Sequence, residues 1–549
     1  MQKILRTLII IAMLITSYLL VLAWRDDYTN KPTVATQHTA TQNASDVPRT
    51  ISGDVPNIDG QPSDAVQTSS SSLIEVVTDR HYIKINPVGG DIVHAELKQY
   101  DDVLGGSGSF ALLESEHGRT YVAQSGLVGQ DGVDTNQGRA TYQLAKTSYK
   151  MGDSSVLEVP LSYQKDGVTI TKTFIFKAGQ YPIEVVYNIN NASEHTWQGN
   201  MYAQLKRDGS ADPGLDDKGM MGMATYLGGA WGTPDSPYNK LKFKEFNSGE
   251  LKSTDKDGWV GIIQHYFVSA WTPNDFDGQF YSRESGGEYF IGFNSPAIIV
   301  PAGKQIDVGA TLYAGPKVQH EMRGVATGLE QAVDYGVFWP ISKTLFAILD
   351  ALHKVFGNWG WAIVGLTLVV KIALFWLSNK SYVSMAKMRA IAPKLEALKE
   401  KHGDDRMAMS QAMMQLYRDE KVNPMAGCLP ILLQMPIFLG LYWCLVESVE
   451  LRHAPWILWI KDLSAMDPWF ILPIIMMATM YFQQLLNPQP TDPMQAKMMK
   501  IMPLIFGVFM LFFPAGLVLY WTVNNLFSMA HQQFVNKKVE KEYQAKQTA

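Results

Sequence analysis

Cysteine is nearly absent: 549 residues hold only Cys428 and Cys444, both inside one apolar run. Two thiols give no disulfide framework, and a structural zinc site needs more ligands at closer spacing, so buried reduced thiols are expected. The first cysteine stands at position 428, which leaves no lipid-acceptor cysteine near the N-terminus. A glycine-rich phosphate loop is also missing. So is a basic surplus: the net charge is -5, which offers nothing to a nucleic acid. His81, His94, His117, His195 and His265 are scattered without metal-ligand spacing, and no serine stands in a nucleophile elbow. No metal and no cofactor are expected. The last shortage is local. The chain is 18% charged with a mean hydropathy of -0.06, which looks soluble. Beyond about residue 330, however, long runs carry almost no charge.

Those runs have membrane length, since about 20 apolar residues cross roughly 30 Å of hydrocarbon. Thr7–Trp24 is uncharged, preceded by Lys3 and Arg6. It is too long and unbroken for a typical cleaved leader, so a retained signal anchor over 1–24 is favoured over a signal peptide. Val355–Asn379 is broken only by Lys371; Val422–Val446 and Pro468–Thr491 hold no charge. Ile501–Asn536 is also uncharged, but as one helix it would reach about 54 Å. Pro514-Ala515-Gly516 divides it into two. Six spans result, the last five at about 356–378, 425–446, 468–486, 498–513 and 515–533. Basic residues orient them. The loop Lys380–Lys421 carries nine, and the 537–549 tail adds Lys537, Lys538, Lys541 and Lys546; the loop Glu447–Asp467 has only Arg452 and Lys461. Both termini are then cytoplasmic, and residues 25 to about 335 lie outside.

The outer part has two textures. Residues 25–72 are rich in Thr, Ser, Gln, Pro and Asp and cannot bury a core, so they read as a tether. From 73 to 335 alternating strands dominate. Leu161-Ser162-Tyr163-Gln164, then Asp166-Gly167, then Val168–Phe176 is a hairpin signal, because the tight turn needs positive φ. An antiparallel β-sandwich is expected. Trp231, Tyr238, Trp259, Tyr266 and Trp271 offer either a peptide- or sugar-binding groove or plain core, and core is the commoner use.

Residues 380–423 read as a cytoplasmic helical hairpin: Ser381–His402, interrupted or restarted at Pro393 and stopped at Gly403, then a second helix from Asp404-Asp405. Met385, Met388, Met407, Met409, Met413 and Met414 give it a methionine surface, which suits varied apolar partners as well as it suits ordinary packing. Here strings of residues carry a resemblance. Ser384–Arg389, Pro393-Lys394-Leu395 and Gly403-Asp404-Asp405 resemble the first cytoplasmic loop of the YidC/Oxa/Alb family of membrane protein insertases. Val422-Asn423-Pro424, Gly427–Pro430 and Leu433–Phe438 resemble its third span, Asp492–Gln495 its second loop, and Phe513–Tyr520 its last hairpin. The likeness is dense over about 335–535 and looser before it.

The resemblance implies a polytopic α-helical membrane protein of the bacterial inner membrane, with an insertase core over 336–536 made of five helices and a periplasmic all-β sandwich of the supersandwich type. It implies no enzyme activity. Its partners would be nascent membrane proteins, the Sec translocon, the ribosome at the cytoplasmic loops and tail, and the lipid bilayer. Met385, Met388, Met413 and Met414 would offer the cytoplasmic contact. Lys371 is the only charge between Lys354 and Lys380. A charge at mid-bilayer costs about 2.5–3.5 kcal/mol on insertion scales, so it points to function, against the alternative that its stem snorkels to the interface. In the family an arginine holds this place, inside a hydrophilic groove open to cytoplasm and lipid; lysine keeps the charge and loses the bidentate fork. Thr367, one turn earlier, and Gln434, Tyr520, Trp521 and Asn524 would wall that groove. An arriving segment would then slide along the second and last spans into lipid.

Two other classes fit an intramembrane lysine or a large outer domain. A secondary transporter predicts internal repeats, and five core helices divide badly in two. An envelope enzyme acting on carbohydrate needs paired acids in a cleft, a pattern sequence does not display.

Overall fold

The computed structural model describes residues 73–548, except 117, 136–137, 213–224, 249–250, 252, 403–404, 421, 424–428 and 488–492. The expected first span, the tether, His117, Cys428 and the Gly403-Asp404 turn lie outside the described residues.

The strands form two sheets, as the alternation predicts. The Asp166-Gly167 signal is met: both residues take positive φ (50° and 80°) and join Val156–Lys165 to Val168–Lys177 in register, Lys165 opposite Val168. That hairpin belongs to a nine-stranded sheet, whose centre runs Trp259–Ile263, Phe267–Asn274, Lys304–Pro316, Pro182–Asn191, Val168–Lys177. The second sheet has 11 strands, with Trp197–Arg207 pairing Tyr121–Val128 on one side and Glu288–Asn294 on the other. Some polar atoms between the sheets find partners across the sandwich. Trp271 Nε1 donates to Gln204 O at 3.1 Å, and His81 Nε2 to Ala314 O at 2.8 Å. Lys172, fully buried, donates to the carbonyls of Gly89, Gly90 and Ser125. Burial lowers its ammonium to about 7, opposed by the charge of Asp91. Trp259 and Trp271 are core residues and Tyr238 stacks on Trp259, so these three pack in the sandwich.

Helices follow. α1 is Trp339–Phe356, with Pro340 in its first turn and Gly357 (φ 66°) ending it. Sequence reasoning began its helix only at 355–356 and missed α1, because Lys343, Asp350 and Lys354 break the apolar run. Its buried Ser342, Leu345 and Leu349 recur at three and four residues, the signal that was available. Then come α2, Trp359–Ala373; α3, Phe375–Ala390; α4, Ala392–His402; α5, Arg406–Asp419; α6, Leu429–Glu447; α7, Ile471–Leu486; α8, Pro493–Met510; and α9, Ala515–Thr548. The restart at Pro393 is met, since α3 stops at Ala390 and proline takes the first turn of α4. Asp405 caps α5, accepting from Met407 N and Ala408 N. The break at Pro514 is also met. It is tied to the α6–α7 connection, Ala515 N donating to Ala465 O and Gly516 N to Leu463 O. The expected separate tail instead continues the last helix: α9 runs 34 residues.

Among the described residues no single helix is long and apolar enough to cross a membrane by itself. α2 and α3 meet that test only as a pair bent by 70°, while Leu432–Glu447 and α7 are apolar but shorter.

The sandwich seats on the end of α6. Lys317, just past the last strand, puts its Nζ 2.7 Å from Glu447 Oε2; the two residues are 3% and 4% exposed. His265 Nε2 donates to Val446 O at 2.8 Å, and burial, aided by the Lys317 charge, lowers this ring to about 3 and keeps it neutral. Arg452 donates to Asp102 O at 3.0 Å and lies over Phe110 and Phe267.

Candidate functional site: a groove at the α2–α3 bend

Lys371 occupies the last turn of α2, just before the bend. Its Nζ donates to Ser528 Oγ of α9 at 2.7 Å, and Ser528 in turn donates to Asn524 O at 2.8 Å. The lysine is therefore held against the last helix by a built hydrogen bond, which a side chain reaching only for the interface does not require. It opens on a cavity of about 390 Å³.

One side of that cavity is polar. α9 contributes Trp521, Asn524, Asn525, Ser528 and Gln532, and α7 contributes Gln483, Gln484 and, just past its end, Asn487. Buried atoms on this side lack protein partners, among them Asn524 Oδ1, Trp521 Nε1 and Gln532 Oε1. Buried polar atoms without partners are costly in an apolar medium, so this side is the cavity's polar wall. The opposite walls are apolar: Leu433, Met435 and Phe438 from α6 face Met499, Met502 and Pro503 from α8. Leu432, Met498 and Ile505 continue these walls onto the protein surface as exposed side chains. No Asp or Glu lines the cavity among the described residues.

Of the residues expected at the groove, Lys371, Gln434, Trp521 and Asn524 do line it. Tyr520 is fully buried behind the wall and accepts from Gln434 Nε2, so it orients a lining residue. Thr367 is not brought there. It is 1% exposed and its hydroxyl donates to Ile363 O of its own helix. Helical spacing placed it one turn from Lys371, but helix packing turned that part of the face inward. Asn525, Ser528 and Gln532 were missed, although 524, 525, 528 and 532 share one helix face in the sequence, an uncharged polar stripe inside an apolar run.

The methionines divide. Met385 packs beneath α9 on Val535 and Val539 and also reaches the groove. Met388 and Met413 pack around Ile391, Leu395 and Val422 within the hairpin. Met407 and Met414 stay exposed. Cys444 is a buried free thiol.

A β-sandwich seated on helices that expose apolar surface and enclose a cavity with no Asp or Glu among its described lining residues defines a class: an apolar helical core carrying a large β-domain. The family model of the 60Kd inner membrane protein matches residues 351–542, and that of the YidC periplasmic domain matches 73–348. The membrane protein insertase YidC of Pseudomonas fluorescens (strain SBW25) is 48% identical over 556 residues, covering 97% of this chain and 98% of the relative. That of Pseudomonas aeruginosa (strain PAO1) is 47% identical over 570 residues, with the same coverage. A crystal structure of active YidC insertase with its first transmembrane domain resolved aligns over 84% of this chain and 92% of its own, at TM-score 0.38 and 18% identity. The chain belongs to the YidC family.

Proposed function

We propose that this chain is a membrane protein insertase and membrane chaperone, working alone or with the Sec translocon on nascent segments delivered by the ribosome. It is a member of a family of inner-membrane proteins with a periplasmic domain, and it is not an enzyme. The observation that carries the reading is Lys371: a cation on a cavity with one polar wall, apolar side chains on the others and no Asp or Glu among its described lining residues. The polar wall lets the polar end of an arriving segment enter partway without meeting hydrocarbon, which lowers the cost of unpaired peptide groups and charges. Lys371 attracts its acidic residues. The apolar remainder leaves by partitioning into lipid. We place this departure between α6 and α8, whose facing apolar side chains flank the cavity. The second and last spans, which share the Lys371–Ser528 bond, form the back of the groove. In the direct test, purified protein in vesicles inserts a small substrate with an acidic translocated end faster than its uncharged counterpart. Equal rates for the two would remove the groove charge from the mechanism.

Six spans with both termini in the cytoplasm complete the proposal. In a background lacking Cys428 and Cys444, cysteines at Gly105 and Ala465 are expected to label from outside intact cells, and one at Lys401 only after lysis. External labelling at Lys401 contradicts this topology.

Among the described residues the outer domain contributes no side chain to the groove. Deleting most of residues 75–320, with the first span and a tether kept, is expected to leave insertion of small substrates within about twofold, a change below ~0.5 kcal/mol. A correctly oriented, stably expressed deletion protein that inserts nothing would show that the domain takes part directly.

A further inference from the structure

Lys371 faces two cavities. The second, of about 240 Å³, lies on the far side of the α2–α3 bend from the α6 and α8 walls and shares Lys371, Ser378, Tyr382 and Ser528 with the groove. Its remaining walls are Leu368, Ile372 and Phe375 on one side and Phe527, Ala530 and His531 on the other. The two ends differ in chemistry. At the inner end the Lys371 ammonium donates to the Ser528 hydroxyl; nearer the mouth the His531 ring stacks on Phe375 with its nitrogen 3.3 Å from Asn379 Oδ1. At the mouth the side chains are apolar and exposed, Ile372 to 69% and Phe375 to 55%. No carboxylate lines this cavity either, among the described residues.

A cation at this depth, bonded to the Ser528 hydroxyl and with no acid among the described residues of either cavity, has no counter-ion among them. Leaving it so is expensive in a low dielectric. The mouth opens on apolar surface in the part of the chain that the proposed function sets in the bilayer. A ligand there must carry an anion at one end and hydrocarbon behind it. We propose that the second cavity binds an anionic phospholipid, its phosphate on Lys371 and its acyl chain across Ile372, Phe375 and Phe527. The lipid supplies the resting counter-ion of Lys371, and an acidic segment entering the groove takes the same ammonium from the opposite side. This rests on the reading of Lys371 as the groove charge, and it adds a competitor for that charge.

The experiment uses the full chain, equilibrated in nanodiscs of mixed phosphatidylglycerol and phosphatidylcholine and released for native mass spectrometry. Wild type is expected to retain one phosphatidylglycerol in preference to phosphatidylcholine. Ala530 lines the second cavity and not the groove. Ala530→Trp fills the site, whereas Ala530→Asp offers Lys371 a carboxylate of the protein's own. Both are expected to lower retention about tenfold or more, the first by occlusion and the second by competing for the ammonium, as is Lys371→Gln, which removes one side of a desolvated charge pair. Two variants acting by different means guard against simple misfolding, and size exclusion with cysteine labelling checks each. An acidic-tailed peptide is expected to displace the lipid, and a neutral one to leave it. Equal retention by wild type and all three variants overturns the proposal. So does a disulfide between Ile372→Cys and a cysteine placed in residues 7–24 with no lipid retained, because the chain itself would then fill the cavity. If Lys371→Ala inserts acidic substrates as wild type does while the lipid pattern holds, the lipid site stands and the groove role of Lys371 falls.

Discussion

Lys371→Glu is expected to abolish insertion of substrates with acidic translocated ends while sparing those without acidic residues. In the groove two unit charges at 4 Å with an effective dielectric of 20 interact by about 4 kcal/mol, and reversing one turns attraction into repulsion. Loss of the attraction alone, about 4 kcal/mol, lowers productive occupancy by about three orders of magnitude, and the repulsion lowers it further. Lys371→Ala should fall between, because the wall of Asn524, Asn525, Ser528 and Gln532 keeps one side of the cavity polar without the charge. Lys371→Arg should retain function: a guanidinium also donates to Ser528 and has donors to spare. A side chain that merely snorkels gives the opposite order, since replacing a costly buried charge by alanine is then neutral or mildly stabilising. The groove-charge reading is falsified if the Ala and Glu variants, at wild-type expression, insert an acidic-tailed substrate as well as the parent.

The second large effect lies at the seat of the outer domain. Lys317→Met is expected to destabilise the docked state by about 3–5 kcal/mol, because it strands the Glu447 carboxylate in a site with almost no water. Lys317→Met with Glu447→Leu should recover most of that loss, since replacing both members of a buried pair by apolar groups is often near neutral. Deleting the domain outright should harm α6 less than the single substitution, because Glu447 then faces water. Protease resistance of the outer domain in intact vesicles reads the effect: fast cleavage for the single variant, near-normal resistance for the double. Equal resistance of parent and single variant would mean that the pair contributes nothing to docking. Glu447 closes the helix that carries Gln434, so the single variant also tests whether the seat steadies the groove wall.

Much of this protein was legible in the chain as written, and for one reason: period and charge are local. The Asp166-Gly167 hairpin, the break at Pro514, the restart at Pro393 and the isolation of Lys371 each follow from a few adjacent residues, whose backbone preferences or transfer costs do not wait for a partner. The resemblance to the YidC family was carried by contiguous strings for the same reason. What tertiary structure alone decided was which neighbours met. Thr367 and Lys371 share a helix face, yet packing buried one and opened the other onto two cavities. Met388 and Met413 suited a partner surface and ordinary packing equally in the sequence; the fold lays them, partly buried, over Ile391, Leu395 and Val422. Lys317 and Glu447 stand 130 residues apart, and nothing local to either foretells a buried ion pair. Such a pair exists only where two desolvated charges come within hydrogen-bonding distance, and only the folded chain sets that distance.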